Sequence, residues 1–417
     1  MASYRTRCEE PFEFVRLHQE PSPRLCPPDF RGRLMIDNIH DGDVIPEEFL
    51  LDARGRPIPE GAWMQCYEAE RDWGADLLAR EFSLALGLEG YFRVNIARVL
   101  MDFGRFPGMT RPPVDHLKRF AINYPFSELL SYDQKRHVLE GYYDRISAAF
   151  DASVRGQLIK ISIHTYDRLN ASGTVRPQIS LVTRANSYQT DSRMPFGVFD
   201  ELYPDVLGEF TCNRVLRDRI SLTLEKAGLP VAHNYPYLLP EGSIEVRAQV
   251  WFFFDFLRQN FERANPETRG APAFEMVWNM LMDTNLRNSE SEVLRSYLHM
   301  YRRAPAGRER EFREALQAYE QVRRFLNLDG GRIVELYRRS LDRPSTLGIE
   351  VRKDLVWEFD AQGRPIRARP KRIRNIARTL ADAVSHYLTE DRPQEHARDP
   401  SVEPRDAWYH DRAPADL

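Results

Sequence analysis

Along this chain, short apolar runs of strand length alternate with longer stretches whose apolar residues recur at helical spacing. The first run is Leu34-Met35-Ile36-Asp37-Asn38-Ile39, and it ends in a polar turn, His40-Asp41-Gly42-Asp43. From Asp72 the pattern becomes helical: Trp73, Leu77, Leu78, Phe82 and Ala85 share a face, and Gly87 and Gly90 stop the helix. Ala97 to Asp102 reads as a second strand. A long helical stretch spans about Phe126 to Phe150, with Leu130, Val138, Tyr142 and Ile146 as its apolar residues. Leu158 to Ile163 forms a third strand that ends at His164, and Ile179 to Val182 a fourth. Helix resumes from about Val206 to Lys226, stopped by Gly228 and Pro230.

Residues 250–340 differ from what precedes them. Val250–Arg263, Ala273–Met282, Ser291–Arg302, Arg308–Phe325 and Arg332–Ser340 read as helices with short polar breaks. A last strand, Leu347 to Val351, restores the earlier pattern, and a helix follows from about Lys371 to Leu388. Strands alternating with long helices predict an α/β fold with a mostly parallel or mixed central sheet flanked by helices. The expected organisation is an irregular N-terminal arm over 1–33, a catalytic domain over 34–249 and 341–390, a helical insertion over 250–340 and a disordered tail over 391–417. In open α/β sheets ligands bind outside the carboxyl ends of the strands. His40 and His164, each at the end of a strand, would meet at that edge.

Charge and composition narrow the partners. The 417 residues carry 59 basic and 62 acidic side chains, a formal net charge of -3, which offers no basic excess for nucleic acid. No apolar run approaches the roughly 20 residues of a membrane helix. The opening segment MASYRTRCEEPFEF lacks the apolar core of a signal peptide, so cytoplasmic residence is expected. Cys8, Cys26, Cys66 and Cys212 form no C-x-x-C pair, which argues against a cysteine zinc site.

A hydrolytic zinc needs about three protein ligands and an open position for water. His40, His164 and nearby acids could supply them, although spacing alone also allows His40 to cap a turn and His164 to pack at a sheet edge. Several separated segments, in order, resemble the N-formylglutamate amidohydrolase family. His40-Asp41-Gly42-Asp43-Val44-Ile45-Pro46 is similar to its "PHSG…P" or "PHDG…P" turn, and Asp72-Trp73-Gly74-Ala75-Asp76-Leu77-Leu78 to its "DW-x-x-D-x-L" helix start. Arg98 to Arg105 resembles the end of "SR-x-x-x-D-x-NR", Ser162-Ile163-His164-Thr165 "D-x-HS", Asn234-Tyr235-Pro236-Tyr237 "N-x-PY", and Ile349 to Leu355 "IEIR-x-DL".

The resemblance implies a zinc-carboxypeptidase-like fold and a metal-dependent amidohydrolase. His40 and His164 become zinc ligands, though similar ligands also accept iron, manganese or cobalt. Asp72 is the preferred third ligand and Asp43, in a His-x-x-Asp spacing, its competitor. Glu350 becomes the general base and acid, acting on a metal-activated water. Glu245, in the echoing segment Ser243-Ile244-Glu245-Val246-Arg247, is the alternative. The family's acidic N-acyl amino acid substrate needs cations for its carboxylate. Arg98 and Arg105 match family positions, Arg176 and Arg193 are further candidates, and Asn234 completes the substrate-binding set.

Departures from the motif are Ile39 for Pro, Ser162 for Asp and Gly104 for Asn. They bear on the substrate, expected to be a small amide or peptide bearing a carboxylate. Two alternatives share the fold: a metallopeptidase acting on a peptide or protein, and a non-catalytic binding protein. The helical insertion could serve as a lid or a homo-oligomer contact.

Overall fold

The computed structural model describes residues 4–18, 25–110, 119–170, 172–184, 199–235, 239–240 and 242–396. The fold is α/β, built on a seven-stranded mixed sheet in the order β1-β3-β2-β4-β7-β5-β6. The strands are β1 (Phe12–Arg16), β2 (Leu34–Asn38), β3 (Gly90–Val94), β4 (Ile159–Tyr166), β5 (Ile179–Val182), β6 (Val231–His233) and β7 (Ser345–Arg352). β3, β2, β4 and β7 run parallel. β1 is antiparallel to β3, and β5, parallel to β6, is antiparallel to β7.

β4 and β7 lie at the centre, and every residue of β4 is buried. Side chains alternate between the faces of a strand. Ile159, Ile161 and Ile163 therefore join Leu347, Ile349 and Val351 in one apolar layer, packed under the helices Ala75–Leu86, Arg214–Lys226 and Pro370–His386. The opposite face of β4 carries Lys160, Ser162 and His164, all buried. Over that face lies the helix Ile244–Ala264, which opens the helical segment. Ser243 caps it, accepting from Val246 N–H. Thr346 Oγ1 on β7 donates to Glu245 O at 3.0 Å and ties its first turn to the sheet. The four helices that follow are Pro272–Leu281, Ser289–Leu298, Glu309–Asn327 and Arg332–Arg339. They share one apolar core with this helix and with Met35 of β2.

Two expectations about elements need correction. Ala97 to Asp102 is a buried turn, not a strand: both Leu100 N–H and Met101 N–H donate to Ala97 O. An apolar run does not separate a strand from a buried turn. The strand is Gly90–Val94 instead. Residues 12–16, inside the segment expected to be irregular, form β1. Phe12 stacks on Phe92 with ring centroids 5.3 Å apart, covering the edge that β3 would otherwise leave open. Most of the expected tail, from residue 397 on, lies outside the described residues.

Candidate metal centre

His40 follows β2 by two residues, and His164 lies in β4, close to its carboxyl end. Their Nδ1 atoms are 3.1 Å apart. Asp72 Oδ2 lies 3.1 Å from His164 Nδ1 and 3.5 Å from His40 Nδ1. Asp72 is not spent on capping the helix that follows, whose first residue is preceded by a left-handed Gly74. Its backbone N–H donates to His40 O at 3.1 Å, holding the two segments together. Among the described residues this is the one group of His, Cys, Asp and Glu donors close enough to share a metal ion. The donor set suits zinc. Tetrahedral coordination at about 2.0–2.1 Å sets neighbouring donor atoms roughly 3.3 Å apart, close to the spacings here.

The surrounding charges are arranged in layers. His40 Nε2 lies 2.8 Å from Asp102 Oδ1. Arg98 bridges two carboxylates, with Nη1 3.2 Å from Asp72 Oδ1 and Nε 3.1 Å from Asp102 Oδ2. Burial would raise the Asp72 carboxyl, but hydrogen bonds from His164 and His40 and the charge of Arg98 hold it far below the usual carboxylate range. Burial likewise opposes ionisation of Asp102, and His40 with Arg98 overcomes it. Burial lowers His164, yet its bond to Asp72 and the nearby Glu350 carboxylate push it up to about 9.

Glu350 sits opposite His164 in the β4–β7 register. It lines a cavity of about 40 Å³ with His40, His164, Arg105 and Glu245, walled by Val182, Leu239 and Gly348. Arg105 is 8% exposed. Among the described residues its one ion contact is a distant one, Nε to Asp102 Oδ2 at 3.8 Å.

The fold brings some expected residues together and leaves others apart. Asp43 faces away from the histidines: its Oδ1 lies 2.7 Å from Arg5 and 3.3 Å from Arg93. Glu245 borders the cavity, but its Oε1 is 3.0 Å from Lys160 Nζ. Arg176 stacks over the Tyr166 ring at 5.2 Å and is not among the cavity walls. Asn234 has a left-handed backbone (φ 53), and its Oδ1 accepts from Thr183 N–H at 2.7 Å, closing the end of the β5–β6 pair. Arg193 and part of the "N-x-PY" segment, Pro236 and Tyr237, lie outside the described residues.

Sequence reasoning passed over Asp102 as a partner of His40 and Lys160 as a partner of Glu245. The alternation Lys160, Ser162, His164 along one face of an otherwise apolar strand was the available signal for the second.

No family model matches this chain, and no curated protein matches it. Among solved structures it is similar to N-formylglutamate amidohydrolase from Ralstonia eutropha JMP134, with TM-score 0.47 and 14% identity over 91% of this chain and 99% of that one. It is also similar to a gene product of Agrobacterium tumefaciens, with TM-score 0.43 and 14% identity over 87% of this chain and 93% of that one. Likeness this distant carries no chemistry, which has to come from the residues of the site.

Proposed function

We propose that this protein is a zinc-dependent amidohydrolase that cleaves the amide bond of a small N-acyl amino acid or similar carboxylate-bearing amide. The observation that carries the reading is the convergence of His40, Asp72 and His164 beside Glu350 in one small cavity. A zinc ion held by those three residues would supply a Lewis acid for the carbonyl and a water acidic enough to react near neutral pH.

The chain's own residues would divide the rest of the work. Glu350, fixed in the central strand next to His164, takes the proton from the attacking water and returns it to the leaving amine nitrogen. Arg105 receives the substrate carboxylate, since Arg98 is engaged with Asp72 and Asp102. Val182, Leu239 and Gly348 exclude bulk water from the acyl side.

The test is elemental analysis of the purified protein and of His164→Ala, followed by a screen of N-acyl amino acids. Near-stoichiometric zinc that is lost in the variant, with hydrolysis in the wild type, is expected. Zinc and hydrolysis both retained in His164→Ala would overturn the reading.

A further inference from the structure

We infer, resting on the function proposed above, that Tyr143 and Arg247 are positioning residues for Arg105. Together they fix the peptide from which its guanidinium enters the candidate cavity to receive the substrate carboxylate.

Arg247 lies near the start of the Ile244–Ala264 helix and is 0% exposed. A fully buried arginine usually faces a carboxylate. This one instead donates to hydroxyls: Nη1 to Tyr143 Oη at 3.2 Å, Nε to Thr284 Oγ1 at 3.3 Å, and Nη2 to Ser147 Oγ. Its Cζ stands 5.0 Å from the centre of the Phe103 ring and 5.8 Å from that of Tyr143. A buried charge is costly unless its hydrogen bonds are made, and here they are made around the turn that carries Arg105.

The chemistry of the donors sets the direction of the relay. A guanidinium can only donate. The Tyr143 oxygen therefore accepts from Nη1, which leaves its own proton for Arg105 O, 2.8 Å away. Arg105 N–H donates to Asp102 O at 3.3 Å, so the residue is tied at both its N–H and its carbonyl. The start of the helix closes on the next residue as well. A Cβ on Gly242 would stand 2.8 Å from Phe106 N, closer than a side chain allows.

Tyr143 ends a widened helical turn, Leu139–Tyr143, in which Asp144 N–H donates to Leu139 O, a step of five residues instead of four. Tyr143 and Ser147, four residues apart, share a face beyond it, and both meet Arg247. The Arg105 side chain itself lines the cavity beside Glu350, His40 and His164.

The experiment uses the zinc-loaded, full-length protein and an N-acyl amino acid that it hydrolyses in the screen above. KM is measured for that acid, and the inhibition constant for its carboxamide, which makes no ion pair with Arg105. Tyr143→Phe keeps the ring and removes the hydroxyl. KM for the acid should rise about 5–10-fold, the worth of one hydrogen bond, with the effect on KM rather than kcat. The inhibition constant of the carboxamide should stay within about twofold. In an Arg105→Met background the same substitution should add nothing, because both act through one group. Arg247→Lys, which keeps a donor for the Tyr143 hydroxyl, should preserve more of the preference for the acid than Arg247→Met. A merely structural role would lower the melting temperature and move acid and carboxamide alike.

Equal changes for acid and carboxamide in Tyr143→Phe overturn the inference and leave the proposed function standing. So does an undiminished effect in the Arg105→Met background. If the Arg247 variants do not fold, Tyr143→Phe decides. A wild type that hydrolyses no N-acyl amino acid overturns the proposed function, and this inference falls with it.

Discussion

Lys160 Nζ lies 3.0 Å from Glu245 Oε1, with the two side chains 0% and 2% exposed. The same ammonium is 3.0 Å from Asp37 Oδ2 and contacts the Ser162 hydroxyl. Buried charges persist when they are paired and hydrogen-bonded. Here one cation serves two carboxylates. Burial works against both, but Lys160 and His164 hold Glu245 down at about 2, whereas Asp37 is left raised because burial outweighs the same lysine. The cluster joins the first turn of the Ile244–Ala264 helix to β2 and β4, and its Glu245 shares a cavity wall with His40 and His164. Lys160→Met would strand two acids in the core. We expect a loss of about 3–5 kcal/mol in urea denaturation, the range for breaking a buried pair by removing one partner. A loss below about 1 kcal/mol would mean that the acids find water or another partner.

A second buried acid predicts how stability changes with pH. Asp151, on the helix Asp144–Ser153, lines a groove between that helix and the helical segment. Burial pushes its carboxyl up to about 7; Arg247 pulls the other way and Asp283 adds to the rise. A folded value above the unfolded one means the neutral form is the favoured one in the native state. The stability it contributes is complete below the unfolded value of about 4 and is lost as pH rises through about 7. Asp151→Asn keeps the neutral shape at every pH. Urea midpoints at about pH 5 and about pH 8 should fall between the two for the wild type and change less for the variant. Equal falls in both proteins would remove Asp151 as the cause.

How much of this was legible beforehand is clearest in β4. Ile159-Lys160-Ile161-Ser162-Ile163-His164 alternates apolar and polar, a pattern usually met in strands with one wet face. In this protein the strand is central and both faces are dry. The polar residues face inward because the His40–Asp72–His164 cluster and the charges that pair with it are built there, so local pattern and burial part company at the candidate site. The strand itself, the helices from Pro272 to Arg339 and the turn carrying His40 all follow from periodicity and from Gly and Pro signals. The pairing of Asp72 rather than Asp43 with the histidines does not. It depends on a long-range backbone bond, Asp72 N–H to His40 O, that spacing does not reveal. Glu245 and Glu350 look alike in sequence, as members of echoing Ile-Glu-Val-Arg segments, but one opens a helix and the other lies in a strand.

Arg98 and Arg105 should behave differently when removed. Arg98 bonds to Asp72 and Asp102, while Arg105 faces the cavity with its one ion contact among the described residues at 3.8 Å. Arg105→Met should raise KM about 10–100-fold, the size of a lost charge-assisted hydrogen bond, with zinc content and folding intact. Arg98→Met should instead weaken zinc binding and lower the melting temperature. Steady-state kinetics, elemental analysis and thermal unfolding of both variants make the comparison. An Arg105→Met protein with unchanged KM would move the proposed substrate carboxylate elsewhere.

Glu350 and Glu245 border the same cavity, and the choice between them as proton carrier is open to experiment. Glu245 is held ionised by Lys160 and lies in the first turn of a helix, where the dipole further favours its charge. A carboxylate at about 2 is a poor base near neutral pH. Glu350 lies in the strand beside His164, on the cavity wall. Glu350→Gln preserves shape and should leave zinc content unchanged while kcat falls about 100- to 10,000-fold, the usual worth of a positioned acid–base group. Glu245→Gln should chiefly lower stability, by weakening the pair with Lys160, and cost kcat much less. Both variants are to be compared by kcat, zinc content and urea midpoint. If Glu245→Gln loses the greater part of kcat at full zinc occupancy while Glu350→Gln turns over normally, the proton passes through Glu245, and Lys160 becomes the group that tunes it.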